Sequence, residues 1–145
     1  MKLRDYRELK FPLSVTGRER LKTCDERLQY IVRELSMVMD ITVIEGHRSV
    51  ARQDALFNAG ASKVKGGGSK HNSKPSLAVD ICPADAPKLW ALHRDLPRAR
   101  YNAMYAEVKK IADAAGIKTR WGGDWDGDGD FTDQKFNDLV HIELL

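Results

Sequence analysis

His71, Asp80 and His141 supply two imidazoles and a carboxylate, and Asp138 stands three residues before the second imidazole. Zinc accepts nitrogen and oxygen ligands of these types in a tetrahedral site, and a hydrolytic zinc keeps three protein ligands so that the fourth position can take water. Asp138 then has the chemistry of a general base, able to take a proton from that water and pass it to a leaving amine. Three ligands and a spare carboxylate read as a hydrolase. In a regular strand Asp138 and His141 would point to opposite faces, so their cooperation requires a turn or bulge between them. Glu143 would share the face of His141 in a strand, which makes it either a rival base or a support for the histidine.

The local contexts add to this reading. Ser69-x-His71, Ala78-x-Asp80 and Asp138-x-x-His141 occur in that order, and the pattern resembles the zinc D,D-carboxypeptidase and L-alanyl-D-glutamate peptidase family of cell-wall enzymes, many of them phage endolysins. Gly46-His47-Arg48-Ser49 is similar to the family's Gly-Tyr-Arg-Ser segment, with His47 in place of Tyr. Trp121-Gly122-Gly123-Asp124-Trp125 extends the likeness, which runs from about Glu45 to the C-terminus. The loop from His71 to Asp80 is longer than in the commonest form of the motif and has no glycine, a change that a surface loop absorbs at small entropic cost.

The resemblance implies a peptidoglycan peptidase with Zn2+ on His71, Asp80 and His141 and with Asp138 as base. It points to the L-alanyl-D-glutamate bond of stem peptides, with a D-Ala-D-Ala carboxypeptidase or cross-link endopeptidase as alternatives. A non-catalytic, metal-containing wall-binding module is the alternative from another class. In this setting Arg48 is the candidate electrophilic group, since a fixed guanidinium stabilises the negative charge that develops on a peptide carbonyl. A surface salt bridge is its plainer role. Ser69 either orients His71, holds a substrate carboxylate or simply forms a turn, and His47 is expected at the cleft because it adjoins Arg48.

A second ion is suggested by Asp124-Trp125-Asp126-Gly127-Asp128-Gly129-Asp130, which places carboxylates on alternate residues and glycine at the sixth position, as an EF-hand-type calcium loop begins. The twelfth position is Lys135 where a bidentate Glu is expected, and Asp133 stands at the tenth. A structural or regulatory Ca2+ site and a solvated acidic turn both fit.

The chain has 145 residues, 42% of them apolar, enough for one domain over residues 1–145 with a real core but not for two. A net charge of +3 favours approach to anionic wall polymers or lipid surfaces. The basic residues are scattered among acids, which argues against nucleic-acid binding. Cys24 and Cys82 lie among apolar neighbours without a Cys-x-x-Cys partner and read as buried free thiols. The N-terminal residues lack the apolar run of a secretory signal, and no stretch reaches the length of a membrane span. Synthesis in the cytoplasm follows, and the resemblance implies action on the wall after release by another agent. A monomer is expected.

These residues need elements to position them. Leu21, Cys24, Leu28, Ile31, Leu35 and Val38 recur at steps of three and four, which predicts one helix from Arg18 to Met39. Ile41–Ile44 reads as a strand and Val50–Ala59 as a helix capped by Gly60. Gly66-Gly67-Gly68 lies in a flexible loop that leads to His71. Leu77–Cys82 alternates as a strand with Asp80 directed away from Leu77, Val79 and Ile81. Arg98–Ala115 reads as a helix that buries Tyr101, Met104, Tyr105, Val108, Ile111 and Ala115 and stops at Gly116. Strands follow at Ile117–Trp121 and Val140–Leu144, and His93 reads as a surface residue. The expected fold is α+β: a short, mainly antiparallel sheet flanked by helices, with the metal site at the sheet.

Overall fold

The strand and helix signals predict most of the architecture seen in the computed structural model, which describes residues 1–86, 98–130, 132 and 137–145. His93, Asp133 and Lys135 fall outside the described residues. Helix α1 covers Val15–Leu21, α2 Glu26–Leu35, α3 Val50–Asn58 and α4 Arg98–Ala114. Strand β1 covers Ile41–Glu45, β2 Ala78–Pro83, β3 Thr119–Gly122 and β4 Asp138–Leu144.

The single helix expected from Arg18 to Met39 is two helices, and a polar link explains the break. Asp25 caps α2 by accepting from the Arg27 backbone N–H at 2.9 Å. Its own N–H donates to the Ser76 carbonyl at 2.8 Å, while the Ser76 N–H donates to the Thr23 carbonyl at 2.9 Å. The link thus exchanges helical hydrogen bonds for a bridge to the loop that follows His71, and Cys24 sits in that bridge rather than in a helix. The apolar spacing persists across the break: Leu21, Cys24, Leu28, Ile31 and Leu35 are all buried, whereas Val38 lies beyond α2 and is 54% exposed. Both cysteines are buried free thiols, and burial pushes each thiol up to about 12.

The four strands form one antiparallel sheet in the order β1-β2-β4-β3. Val79, Ile81, Ile142 and Leu144 join the hydrophobic core. Helix α4 packs against β2, β3 and β4 and buries Tyr101, Met104, Val108 and Ala112. Ala112 takes the core position expected of Ala115, which is exposed. Gly116 ends the helical segment with φ +70°, a left-handed conformation in which glycine carries no Cβ penalty.

The expected flexible loop before His71 is instead fastened along much of its length. Gly66 N–H donates to Asp54 Oδ1 at 2.8 Å, and the Gln53 amide donates to Ser62 Oγ at 2.8 Å and to the Val64 carbonyl at 2.6 Å. Three glycines permit unusual backbone angles, but hydrogen bonds from α3 select one path. Among the described residues no helix is long and apolar enough to cross a membrane.

Candidate metal centre and active site

The sheet register brings the predicted ligands together on the face opposite the apolar residues of β2 and β4. Asp80 on β2 pairs directly with His141 on β4, and cross-strand partners share a face at close range. His71 arrives from a single 3-10 turn at Lys70–Asn72. Ser69 caps this turn: its hydroxyl accepts from the His71 backbone N–H at 3.2 Å, and the Asn72 side chain accepts from the Ser69 N–H at 3.1 Å. Ser69 thus caps the turn that carries His71, and it also lines the cleft.

His71 Nε2 lies 3.1 Å from Asp80 Oδ1, and His141 Nδ1 lies 3.3 Å from the same oxygen. One ligand atom from each residue can be chosen so that all lie within 4.8 Å of one another. The remaining ring nitrogens are committed elsewhere. His71 Nδ1 is 2.7 Å from the Gly46 carbonyl, which can only accept, so Nδ1 carries the proton and Nε2 is left for a ligand bond. His141 Nε2 is 2.9 Å from Glu143 Oε1, and the same reasoning leaves Nδ1 facing Asp80. Two oriented imidazoles and a carboxylate, all more than nine-tenths buried, suit a divalent ion that accepts nitrogen and oxygen.

Glu143 is thereby hydrogen-bonded to the His141 ring. Its carboxylate accepts from Arg120 Nη2 at 2.9 Å and lies 3.6 Å from Lys70 Nζ. Burial favours its neutral form, but the bonds with His141 and Arg120 outweigh that and bring it down to about 2. Burial also opposes charge on His141, yet Asp80 and Glu143 push that ring up to about 9. Because metal binding requires the neutral ring, binding at this histidine would be pH-dependent.

Asp138 reaches the same cleft through the bulge that its position requires. Trp121 on β3 pairs with Ile142, but the next residue, Gly122, pairs with Asp138, so β4 carries extra residues between Asp138 and His141. The Trp121 indole donates to the Leu139 carbonyl at 2.8 Å and stacks on Tyr105 with ring centroids 4.7 Å apart, holding the bulge from the core side. A Cβ on Gly122 would lie 2.1 Å from the Asp138 carbonyl oxygen. Only glycine permits that approach. Burial, then the charge of Asp80, raises the Asp138 carboxyl above its ordinary range.

Arg48 is largely buried in an ion-pair network. Its Nη2 lies 2.7 Å from Glu45 Oε2 and 3.5 Å from Asp80 Oδ2, and its Nη1 donates to Gln53 Oε1 at 2.8 Å. The plain surface salt bridge is therefore replaced by a guanidinium fixed beside a candidate metal ligand. Arg48, His71, Asp80, Asp138, His141 and Glu143 all line one cleft of about 640 Å³. His47 is not among its described lining residues; its backbone N–H donates to Thr23 Oγ1 at 2.8 Å instead. Trp125 also lines the cleft, with its ring centroid 5.5 Å from that of His141.

In the acidic loop, Asp124, Asp126 and Asp128 can bring ligand oxygens within 4.8 Å of one another. Asp130 is not in that group; its Oδ1 accepts from the Thr132 N–H and hydroxyl. Gln53, Lys70 and Arg120 escape a reading by motif because each acquires its role only through contacts made across the fold.

Comparisons with known proteins identify the family. The family model described as phage L-alanyl-D-glutamate peptidase matches residues 9–145. The L-alanyl-D-glutamate peptidase of Escherichia phage T5 is 33% identical over 148 residues, covering 94% of this chain and 100% of the phage protein. The peptidoglycan L-alanyl-D-glutamate endopeptidase CwlK of Bacillus subtilis is 28% identical over 114 residues, which are 74% of this chain and 62% of that relative's length. The crystal structure of the Serratia marcescens L-Ala D-Glu endopeptidase ChiX matches with a TM-score of 0.68 over 97% of this chain and 96% of that one, at 23% identity, a likeness of fold. The match over nearly the whole sequence places this chain in the phage L-alanyl-D-glutamate peptidase family.

Proposed function

We propose that this protein is a zinc-dependent peptidase that hydrolyses the L-alanyl-D-glutamate bond in peptidoglycan stem peptides. The observation that carries the reading is the convergence of His71 Nε2, Asp80 Oδ1 and His141 Nδ1 in a cleft, with the other nitrogen of each ring already hydrogen-bonded. Zinc on those three residues would supply Lewis-acid polarisation and a bound water with its pKa lowered towards about 7.

The chain's own groups do the rest. Asp138 takes a proton from the attacking water and returns it to the leaving amine, a task suited to a carboxyl raised above its usual range. Arg48, held by Glu45 and Gln53, stabilises the charge that grows on the scissile carbonyl oxygen. Glu143 keeps His141 in one tautomer and orientation. Replacing Glu143 with Gln should weaken metal affinity or activity by about 10–100-fold, measured by competition with a chromogenic chelator and by peptide release. Unchanged values for both would remove Glu143 from this role.

The functional test is digestion of purified sacculi with the metal-loaded protein, followed by mass analysis. Peptides that begin with D-glutamate, left by strands ending in L-alanine, are expected. Release of terminal D-alanine alone, or of cross-link fragments alone, would assign a different bond. Binding without any cleavage would make the protein a wall-binding module.

We further propose that Asp124, Asp126 and Asp128 hold a structural Ca2+. Asp124 Oδ1 is buried without a hydrogen-bond partner, and burial together with the nearby Asp126 and Asp128 raises its carboxyl. A hard cation would relieve that crowding. Calcium should raise the melting temperature of the zinc-loaded protein but not of its Asp126→Ala variant. Equal melting temperatures with and without calcium in the wild type would leave the loop as an acidic turn.

A further inference from the structure

Helix α3 buries only one of its residues, and that residue is Gln53. It is 0% exposed. A buried position on a short surface helix is ordinarily filled by an apolar side chain, because a buried amide is costly unless it is fully hydrogen-bonded. Here each polar atom of the amide has a partner. Oε1 accepts from Arg48 Nη1 at 2.8 Å, and Nε2 donates to Ser62 Oγ at 2.8 Å and to the Val64 carbonyl at 2.6 Å. The amide cannot be turned over, since that would set its NH2 group against the guanidinium and its oxygen against a carbonyl.

All three partners of this amide, Arg48, Ser62 and Val64, line the cleft. We infer that Gln53 is a positioning residue that locks the Arg48 guanidinium and the Ser62–Val64 wall of the substrate cleft into one unit. The inference rests on the peptidase reading above and adds a separable division of labour. The acceptor half of the amide orients the group that stabilises the reacting carbonyl, and the donor half holds the wall against which the stem peptide lies. Glu45 secures the other side of Arg48 through Nη2, so Gln53 sets the direction of a guanidinium that is already anchored.

A double-mutant cycle in the zinc-loaded protein, with a soluble stem-peptide substrate, tests this. Gln53→Met removes both halves and should lower kcat by about 10–100-fold, the scale of a misplaced catalytic group, with zinc content unchanged. In an Arg48→Ala background the same substitution should change kcat by less than about twofold, because the group it orients is gone. Gln53→Glu keeps an acceptor for Arg48 but sets an oxygen against the Val64 carbonyl, so the disturbance should fall on the wall and KM should rise by more than kcat falls.

Equal losses of kcat from Gln53→Met in both backgrounds would overturn the inference, since damage that ignores Arg48 is merely structural. Should Gln53→Met fail to fold, Gln53→Glu decides: a tenfold fall in kcat at unchanged KM overturns it. Wild-type protein that cleaves no stem peptide would instead remove the peptidase reading, a result distinct from additive losses in an active enzyme.

Discussion

Asp138→Asn is expected to lower kcat by about 10²–10⁴-fold, the contribution of a positioned general base, while the protein retains one zinc per chain. His71→Ala should lose both activity and tight metal binding. The contrast follows from geometry. His71 Nε2 is one of the three converging candidate ligand atoms, whereas Asp138 lines the cleft without belonging to that group. Asn keeps the shape of the side chain and the bulge that carries it but cannot accept a proton at neutral pH. Metal analysis after dialysis, paired with peptide release from sacculi, checks the split. If Asp138→Asn cleaved normally, the base would have to be another carboxylate. If His71→Ala kept zinc as tightly as wild type, the proposed ligand set would be wrong.

Gly122→Ala is expected to disable the enzyme nearly as severely without touching any of the proposed zinc ligands. The added methyl would meet the Asp138 carbonyl oxygen at 2.1 Å and its carbon at 2.8 Å, both backbone atoms that cannot move aside as a flexible side chain would. Relief requires the bulge to open and Asp138 to shift, and misplacement of a reacting group by about 1 Å costs on the order of 10²-fold in rate. Zinc content should persist, because Asp80 and His141 are registered by β2 and β4 on the other side of the bulge. Kinetics and metal content of the purified variant check this, with circular dichroism to confirm folding. A folded Gly122→Ala protein with wild-type kcat would show that the Asp138 position does not depend on the Gly122 contact.

The convergence of His71, Asp80 and His141 was legible in the sequence because each of these candidate ligands sits in a short motif whose spacing survives folding, and the alternation of β2 already directs Asp80 away from the apolar side. The need for a bulge before His141 was legible for the same reason: a strand's period of two would otherwise send Asp138 to the wrong face. Elements governed by distant partners were not legible. The break between α1 and α2 depends on Ser76, which meets Thr23 and Asp25 only in the folded chain, and an apolar spacing of three and four runs through the break undisturbed. The three glycines before His71 suggest mobility, yet Gln53 and Asp54 anchor that segment from a helix elsewhere in the sequence. Arg120 is the same kind of case, since only the pairing of β3 with β4 places it opposite Glu143. The acidic loop shows the limit of a motif: alternate aspartates predict four converging ligands, but Asp130 turns to cap Thr132 while three others cluster.

The most direct test of the metal centre is anomalous diffraction at the zinc absorption edge from crystals grown with one equivalent of zinc. The proposed ligand set requires one strong peak in contact with His71 Nε2, Asp80 Oδ1 and His141 Nδ1. A fully occupied zinc elsewhere on the protein, with those three atoms in contact only with one another, would contradict it.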